Sequence, residues 1–173
     1  MEKERYNINL ISELMGNLGI ELTPGNEDTP RRVAKMYAEM FSNINGANYS
    51  NLLESMTLFD NNGSDSPITI KNIKFHSMCE HHWLPFFGLC DITYIPRNSI
   101  LGLSKFPRAV KYFCKKPQIQ EGLTREIGEF LVGVLNPKML KVTLHDVTHT
   151  CVLVRGAEAE CTTDTIYEYK EGK

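Results

Sequence analysis

The sequence predicts an α+β protein, and three observations carry that prediction. Apolar residues alternate along 68–75 and a second strand pattern runs from 86 to 95, both with the period of a half-buried strand. Two helical stretches follow, 105–116 and 118–135, separated at Pro117. The chain then returns to strand at 140–147 and 150–156. Strand, strand, helix, helix, strand, strand is the core order, helices and strands both contributing to one α+β domain. A helical extension, 1–55, precedes this core domain, 56–173.

The extension begins with Ile8, Ile11, Leu14, Met15 and Leu18, an amphipathic spacing that predicts a helix over 6–18 ending near Gly19. Thr29 then reads as an N-cap with Pro30 at the first helical position, and Val33, Met36, Tyr37, Met40 and Phe41 form a second apolar stripe. Arg31, Arg32 and Lys35 crowd the start of that helix, where cations oppose the macrodipole, so an anion, a partner surface or simple solvation has to offset them. Residues 42–66, rich in Asn, Ser and Gly, predict a loop with one short strand near 56–59. Pro96 and Arg97-Asn98-Ser99 stop the second core strand.

Composition narrows the function classes. The 173 residues are 42% hydrophobic and 23% charged, the balance of an ordinary globular chain. With 19 basic and 21 acidic residues the net charge is −2, so nothing draws the whole chain to nucleic acid or an anionic membrane. No apolar run approaches the ~20 residues of a transmembrane helix, and the N-terminus has no signal-peptide core. A cytoplasmic protein is expected. Its five cysteines are odd in number and widely spread, which argues against a disulfide framework; Cys90 and Cys114 read as small buried apolar residues.

The chemistry concentrates in two clusters. In Cys79-Glu80-His81-His82, thiol and imidazole three residues apart can turn to one side of a tight turn. In His149-Thr150-Cys151, read as strand, residues two apart share a face. The five side chains Cys79, His81, His82, His149 and Cys151 exceed the three or four places of a zinc site, and a histidine left over suits proton transfer. His76 and His145 read as ordinary structural histidines. Between the clusters, Ser104 is a candidate N-cap, with Lys105 and Arg108 on the first turn behind it and Arg155 beyond Cys151; together they suit a phosphate chain. Glu121 follows Gln120 in a first helical turn, and a carboxylate can accept the two adjacent donors of a guanine edge.

Cys79-Glu80-His81-His82 with Leu84-Pro85-Phe86-Phe87-Gly88, Tyr94-Ile95-Pro96, Gly102-Leu103-Ser104-Lys105, Gln118-Ile119-Gln120-Glu121, His149-Thr150-Cys151 and Arg155-Gly156 together resemble the GTP cyclohydrolase I family. The likeness runs in order from Thr29-Pro30-Arg31-Arg32 to Gly156. It implies a tunnelling fold, a four-stranded antiparallel sheet with two helices on one face, assembled through barrels into a homodecamer whose active sites are shared between subunits. It also implies that Cys79, His82 and Cys151 hold Zn2+, a place other divalent metals can also take, and that His81 and His149 transfer protons. Gln120 and Glu121 would then hold the guanine of GTP; Ser104, Lys105, Arg108 and Arg155 would hold the triphosphate with Arg32 and Lys35 of a neighbouring subunit. The implied reaction opens the imidazole ring of GTP, releases formate and recloses to 7,8-dihydroneopterin triphosphate. The alternatives are a homologue with altered nucleotide choice, one that stops at the ring-opened stage, and a catalytically silent zinc-binding relative. Gly122 stands where the family usually has arginine, and the tail from Ala157 is more acidic than usual, keeping only Thr162-Thr163-Asp164-Thr165 of the expected Ser/Thr-rich stretch.

Overall fold

The computed structural model describes residues 2–172, which form two compact units, one up to Ser42 and one from Asn43 onward. In the first, α1 (Glu2–Asn17) packs against α2 (Thr29–Met40). The end of α1 follows from Gly19, whose φ of 73° lets Ile20 N–H reach back to Met15 O at 2.9 Å and Gly19 N–H to Gly16 O at 3.0 Å, closing the orphan carbonyls. At the start of α2 the cap position belongs to Asp28, not Thr29, and no side chain makes the capping bond. Asp28 meets the crowded cations instead: its carboxylate lies 2.9 Å from Arg31 and 3.7 Å from Arg32, while Lys35 pairs with Glu39 at 3.8 Å. The Arg31 guanidinium holds the Asp28 carboxyl below the usual carboxylate range.

The second unit starts earlier in the chain than the expected extension ends. Asn43 N–H donates to Lys115 O at 2.9 Å, its side-chain amide to Tyr112 O at 2.9 Å, and Leu52 is buried with the core. A 3-10 turn (Ile44–Gly46) and a short helix, α3 (Tyr49–Glu54), occupy what composition predicts as loop. Asn48 opens α3 from a φ of 64°, a conformation asparagine tolerates, which is why an Asn-rich stretch can still lead into a helix.

After β1 (Leu58–Asp60) come β2 (Ile68–Cys79), β3 (Pro85–Ile95), β4 (Ser99–Leu101), α4 (Lys105–Phe113), β5 (Pro117–Gln118), α5 (Gln120–Leu135), β6 (Met139–His149), a single-turn helix α6 (Thr150–Leu153) and β7 (Thr162–Lys170). The main sheet has the order β5-β2-β3-β6-β7, and β1 pairs with β4 in a separate two-stranded sheet. Every contact between its long strands is antiparallel; β5 adds two parallel residues against Met78 and Cys79. The buried face carries Phe75, Phe86, Ile92, Tyr94, Leu140, Val142 and Leu144, on which Phe106, Val110, Leu123, Ile127 and Leu131 of α4 and α5 pack. Each such fully buried aliphatic or aromatic side chain stabilises the fold by about 1.5–3 kcal/mol.

One expectation fails here. Residues 150–156 are not the last strand: α6 and a turn occupy them, and the strand is β7, pairing Leu140 with Tyr169 and Val147 with Thr163. The alternation of Thr163, Thr165, Tyr167 and Tyr169 along 162–170 is the signal that identifies it, with β-branched and aromatic residues on the half-covered face. His149 and Cys151 therefore do not share a strand face; the chain turns between them.

Candidate metal centre and proton-transfer site

Two chain reversals meet at one end of the sheet. At the first, β2 leaves the ladder at Cys79 and a tight turn hands the chain to β3, with Cys79 N–H donating to Leu84 O at 2.8 Å and Trp83 N–H to Cys79 O at 2.9 Å. Trp83 sits at a φ of 51°, so the turn is one that a bulky residue occupies only because its surroundings impose it. Glu80 N–H donates to Gln118 O at 3.0 Å, anchoring the same turn to β5. At the second, β6 ends at His149 directly opposite Phe86, and Thr150 Oγ1 donates to Pro85 O at 2.6 Å. The register of β3 against β6 thus decides that Cys151 arrives beside the Cys79 turn.

The ligand-type atoms of Cys79, His82 and Cys151 all lie within 4.8 Å of one another, and Cys79 Sγ is 3.7 Å from His82 Nδ1. Donor atoms around a tetrahedral zinc at about 2.0–2.3 Å stand roughly 3.5–3.8 Å apart, so the three fit such an ion after small side-chain adjustments. Burial and the neighbouring Cys79 push the Cys151 thiol up. A thiol whose ionisation is opposed by burial and by a neighbouring thiol is one that a bound cation would relieve. Cys90 and Cys114 are buried elsewhere in the core, with burial pushing the Cys114 thiol up to about 12 and that of Cys90 higher still, as befits inert apolar packing.

Of the histidines, His81 lies at the rim with Nδ1 3.7 Å from Cys79 Sγ and Nε2 3.8 Å from Glu80. His149 is held more firmly. Its ring stacks on Phe86 with centroids 4.8 Å apart and planes 7° from parallel, and its Nε2 is 2.8 Å from Gln120 Oε1. Burial holds the His149 pKa below the usual imidazole range, partly offset by the Glu121 carboxylate nearby. His145 belongs to a different cluster: Nδ1 lies 2.8 Å from Asp146 and Nε2 3.3 Å from Asp91, and its pKa is raised, the Asp146 bond contributing most. His76 is exposed on β2.

Gln120, expected at the guanine, makes its side-chain hydrogen bonds within the protein. It is 3% exposed, and its amide is committed to the protein: Oε1 receives Thr163 Oγ1 at 2.6 Å and His149, while Nε2 donates to Thr163 O and to Thr165 Oγ1, each at 3.2 Å. Glu121, the next residue, is exposed. Gly122 is buried, and a Cβ there would stand 3.2 Å from Ile119 Cγ1. Thr163 and Thr165 lie outside the site predicted from sequence, because the apolar pattern predicts the last strand at 150–156 and they stand on β7.

The residues expected at the triphosphate lie in three places. Ser104, Lys105 and Arg108 share the first turn of α4; Ser104 occupies the cap position but makes no capping bond, so its hydroxyl is not committed to the helix. Among the described residues no hydrogen bond or ion pair joins them to the thiol cluster. Arg155 does reach it, its guanidinium donating to His82 Nε2 at 3.0 Å. Arg32 and Lys35 belong to the first unit.

Comparison with known proteins agrees with this geometry. The family profile of GTP cyclohydrolase I matches residues 8–172. The bifunctional protein FolKE of Lactococcus lactis subsp. lactis is 44% identical over 151 residues, covering 83% of this chain and 42% of that protein. GTP cyclohydrolase 1 of Finegoldia magna is 40% identical over 163 residues, covering 91% of this chain and 83% of its own. GTP cyclohydrolase 1 of Bacillus subtilis is 44% identical over 130 residues, 75% of this chain and 66% of that one. The chain thus spans less than half of the bifunctional relative and about two thirds or more of the others. Among solved structures, the archaeosine synthase QueF-Like in its apo form matches with a TM-score of 0.51 at 20% identity, covering 64% of this chain and 98% of that one, a likeness in fold that agrees with the tunnelling fold. No helix among the described residues is long and apolar enough to cross a membrane. Because the matched span takes in the Cys79 turn, the Gln120 helix and the β6 terminus together, relatedness extends over the site as well as its scaffold, and the chain belongs to the GTP cyclohydrolase I family.

Proposed function

We propose that this protein is a zinc-dependent GTP cyclohydrolase I, converting GTP and water to formate and 7,8-dihydroneopterin triphosphate, and that residues 56–173 are its catalytic domain. The observation that carries the proposal is the convergence of Cys79, His82 and Cys151 within 4.8 Å, beside an imidazole held in one orientation. A zinc ion held by three protein ligands supplies Lewis acidity that makes water a nucleophile near neutral pH. The chain's own residues do the rest. Glu121, exposed and close enough to His149 to act on its charge, accepts from N1–H and N2–H2 of the guanine and so sets where C8 lies. His149 and His81 move protons, one at N7 so that C8 becomes a better electrophile and one at the ring positions exposed as C8 leaves as formate. Ser104, Lys105, Arg108 and Arg155 bind the triphosphate, with Arg32 and Lys35 of a neighbouring subunit.

The open edges of the sheet support assembly into a ring, ultimately a homodecamer. Among the described residues, β7 pairs on one side only and β2 is covered on its outer side only by the two residues of β5, so both edges invite strands of a neighbour. A cytoplasmic enzyme is the corresponding location. The rival, a silent zinc-binding homologue, has no need of the bonds that orient His149. The test is zinc-loaded protein with GTP, assayed separately for formate and for the fluorescent oxidised pterin. Both products, abolished by a chelator, are expected; formate without pterin identifies a reaction that stops at ring opening, and neither product overturns the proposal, the same assays with other nucleoside triphosphates then separating a homologue of altered nucleotide choice from a silent one.

A further inference from the structure

The amide of Gln120 has only one orientation that satisfies its neighbours. Its Nε2 faces the main-chain carbonyl of Thr163, which can only accept, so this end must be the donor and the opposite end, facing His149, must be the carbonyl oxygen. The hydroxyls follow in series. Thr124 donates to Gln120 O at 2.7 Å, so at its 2.6 Å contact with Thr165 the Thr165 hydroxyl is the donor. Thr165 Oγ1 is thereby left as an acceptor for the second Nε2 proton of Gln120 at 3.2 Å, and Thr163 Oγ1 gives its proton to Gln120 Oε1 at 2.6 Å. Both protons and both lone pairs of the Gln120 amide are used, in a place where the residue is 3% exposed. A carbonyl oxygen 2.8 Å from His149 Nε2 requires a proton on that nitrogen. In the neutral ring, Nδ1 then holds the lone pair.

We propose that Gln120, locked by Thr163 and Thr165 of the last strand, is a positioning residue that fixes His149 as the Nε2–H tautomer, so that Nδ1 is the nitrogen that exchanges protons during the reaction. The Phe86 stack sets the plane of the ring and the Gln120 oxygen sets its rotation about that plane, which leaves one nitrogen and one direction for proton transfer. This rests on the reading of His149 as a proton-transfer residue, and it replaces a guanine contact for Gln120 with a role exerted through the imidazole. It also gives the Thr162-Thr163-Asp164-Thr165 segment a function: β7 is the wall against which the acid–base residue is set.

The experiment uses zinc-loaded, full-length protein labelled with 15N-histidine, examined by solid-state NMR, with the His149 signals identified by their loss in His149→Ala. One protonated and one bare nitrogen, the protonated one assigned to Nε2, is expected in the parent protein. Thr163→Val keeps the shape and removes the hydroxyl proton given to Oε1, and Gln120→Leu removes the acceptor. Both are expected to give mixed His149 tautomers and to lower kcat by about tenfold or more, within the range that acid–base catalysis contributes, while the KM for GTP changes less than about twofold. A parent His149 bare at Nε2 overturns the proposal. So does a Gln120→Leu protein whose KM rises with kcat and tautomer unchanged, since that is a substrate contact. If the parent protein releases no formate from GTP, the reaction assignment fails on its own, and the tautomer measurement still decides whether Gln120 positions the ring.

Discussion

Replacing Gly128 by alanine tests the link between the last strand and the helix beneath it. Gly128 lies in α5 under the ring of Tyr167 on β7, and a Cβ there would stand 2.1 Å from Tyr167 Cδ1 and 2.5 Å from Cε1, inside the ring's van der Waals surface. The ring has to move by more than an ångström, and it cannot do so alone because β7 is paired along its length with β6. Overpacking of this kind costs about 1–3 kcal/mol, and the severe overlap argues for the upper half of that range. Alanine in a helix interior recovers about 1 kcal/mol of propensity over glycine, so a net loss of roughly 1–2 kcal/mol is expected. Gly133 is the control: it lies in the same helix with nothing within 4 Å of a Cβ, so there the propensity gain stands alone. The two single variants should therefore move in opposite directions, Gly133→Ala gaining about 0.5–1 kcal/mol. Chemical denaturation followed by circular dichroism at one fixed protein concentration reads both. Because β7 also carries Thr163 and Thr165, the Gly128 variant should lose turnover beyond its loss of stability. A Gly128→Ala protein as stable as Gly133→Ala would refute the packing argument and the claim that β7 is rigidly seated on α5.

Cys151→Ser should abolish both bound metal and GTP turnover, whereas His149→Ala should keep most of the metal and lose turnover; metal analysis beside the formate assay separates them, and equal metal loss in both would show that His149 belongs to the ligand set. Glu121→Gln should cut kcat/KM for GTP by up to roughly a hundredfold, since its amide must present a donor to a donor, at about 1–3 kcal/mol for a group left unsatisfied once the bound guanine covers it; steady-state kinetics check it, and unchanged efficiency removes Glu121 from the base pocket. His145 should make stability depend on pH. Its folded pKa is raised by Asp146 and Asp91, so its contribution is complete below the unfolded value near 6.5 and is lost as pH rises through the folded one. The pair is partly exposed, so about 0.5–1 kcal/mol is at stake; thermal melts at pH 6 and pH 8.5 should differ more for the parent protein than for His145→Asn, and identical pH responses would remove the ion pair from the stability of the fold.

What the sequence determined by itself was local. Apolar spacing and Gly19 define α1, Pro117 separates α4 from α5, and alternation marks β2 and β3, because a helix or strand period is written within a few residues of itself. Cys79 and His82 were legible as a half-site for the same reason, being three apart in one turn. Locality also explains the errors. Composition made 42–66 look like loop, yet α3 forms there because Leu52 finds a core built by residues far along the chain. The strand expected at 150–156 lies instead at 162–170, since a short apolar run fits a helical turn as well as a strand and only pairing with β6 chooses between them. The meeting of Cys151 with Cys79 depends on Phe86 lying opposite His149, a register between distant strands. Gln120 is the clearest case. In the sequence it is a polar residue at a helix start, equally suited to a ligand; only the tertiary structure surrounds it with Thr163, Thr165 and His149, whose donors and acceptors leave its amide a single orientation. A side chain's hydrogen-bonding partners, unlike its helical period, are fixed by where the rest of the chain comes to lie.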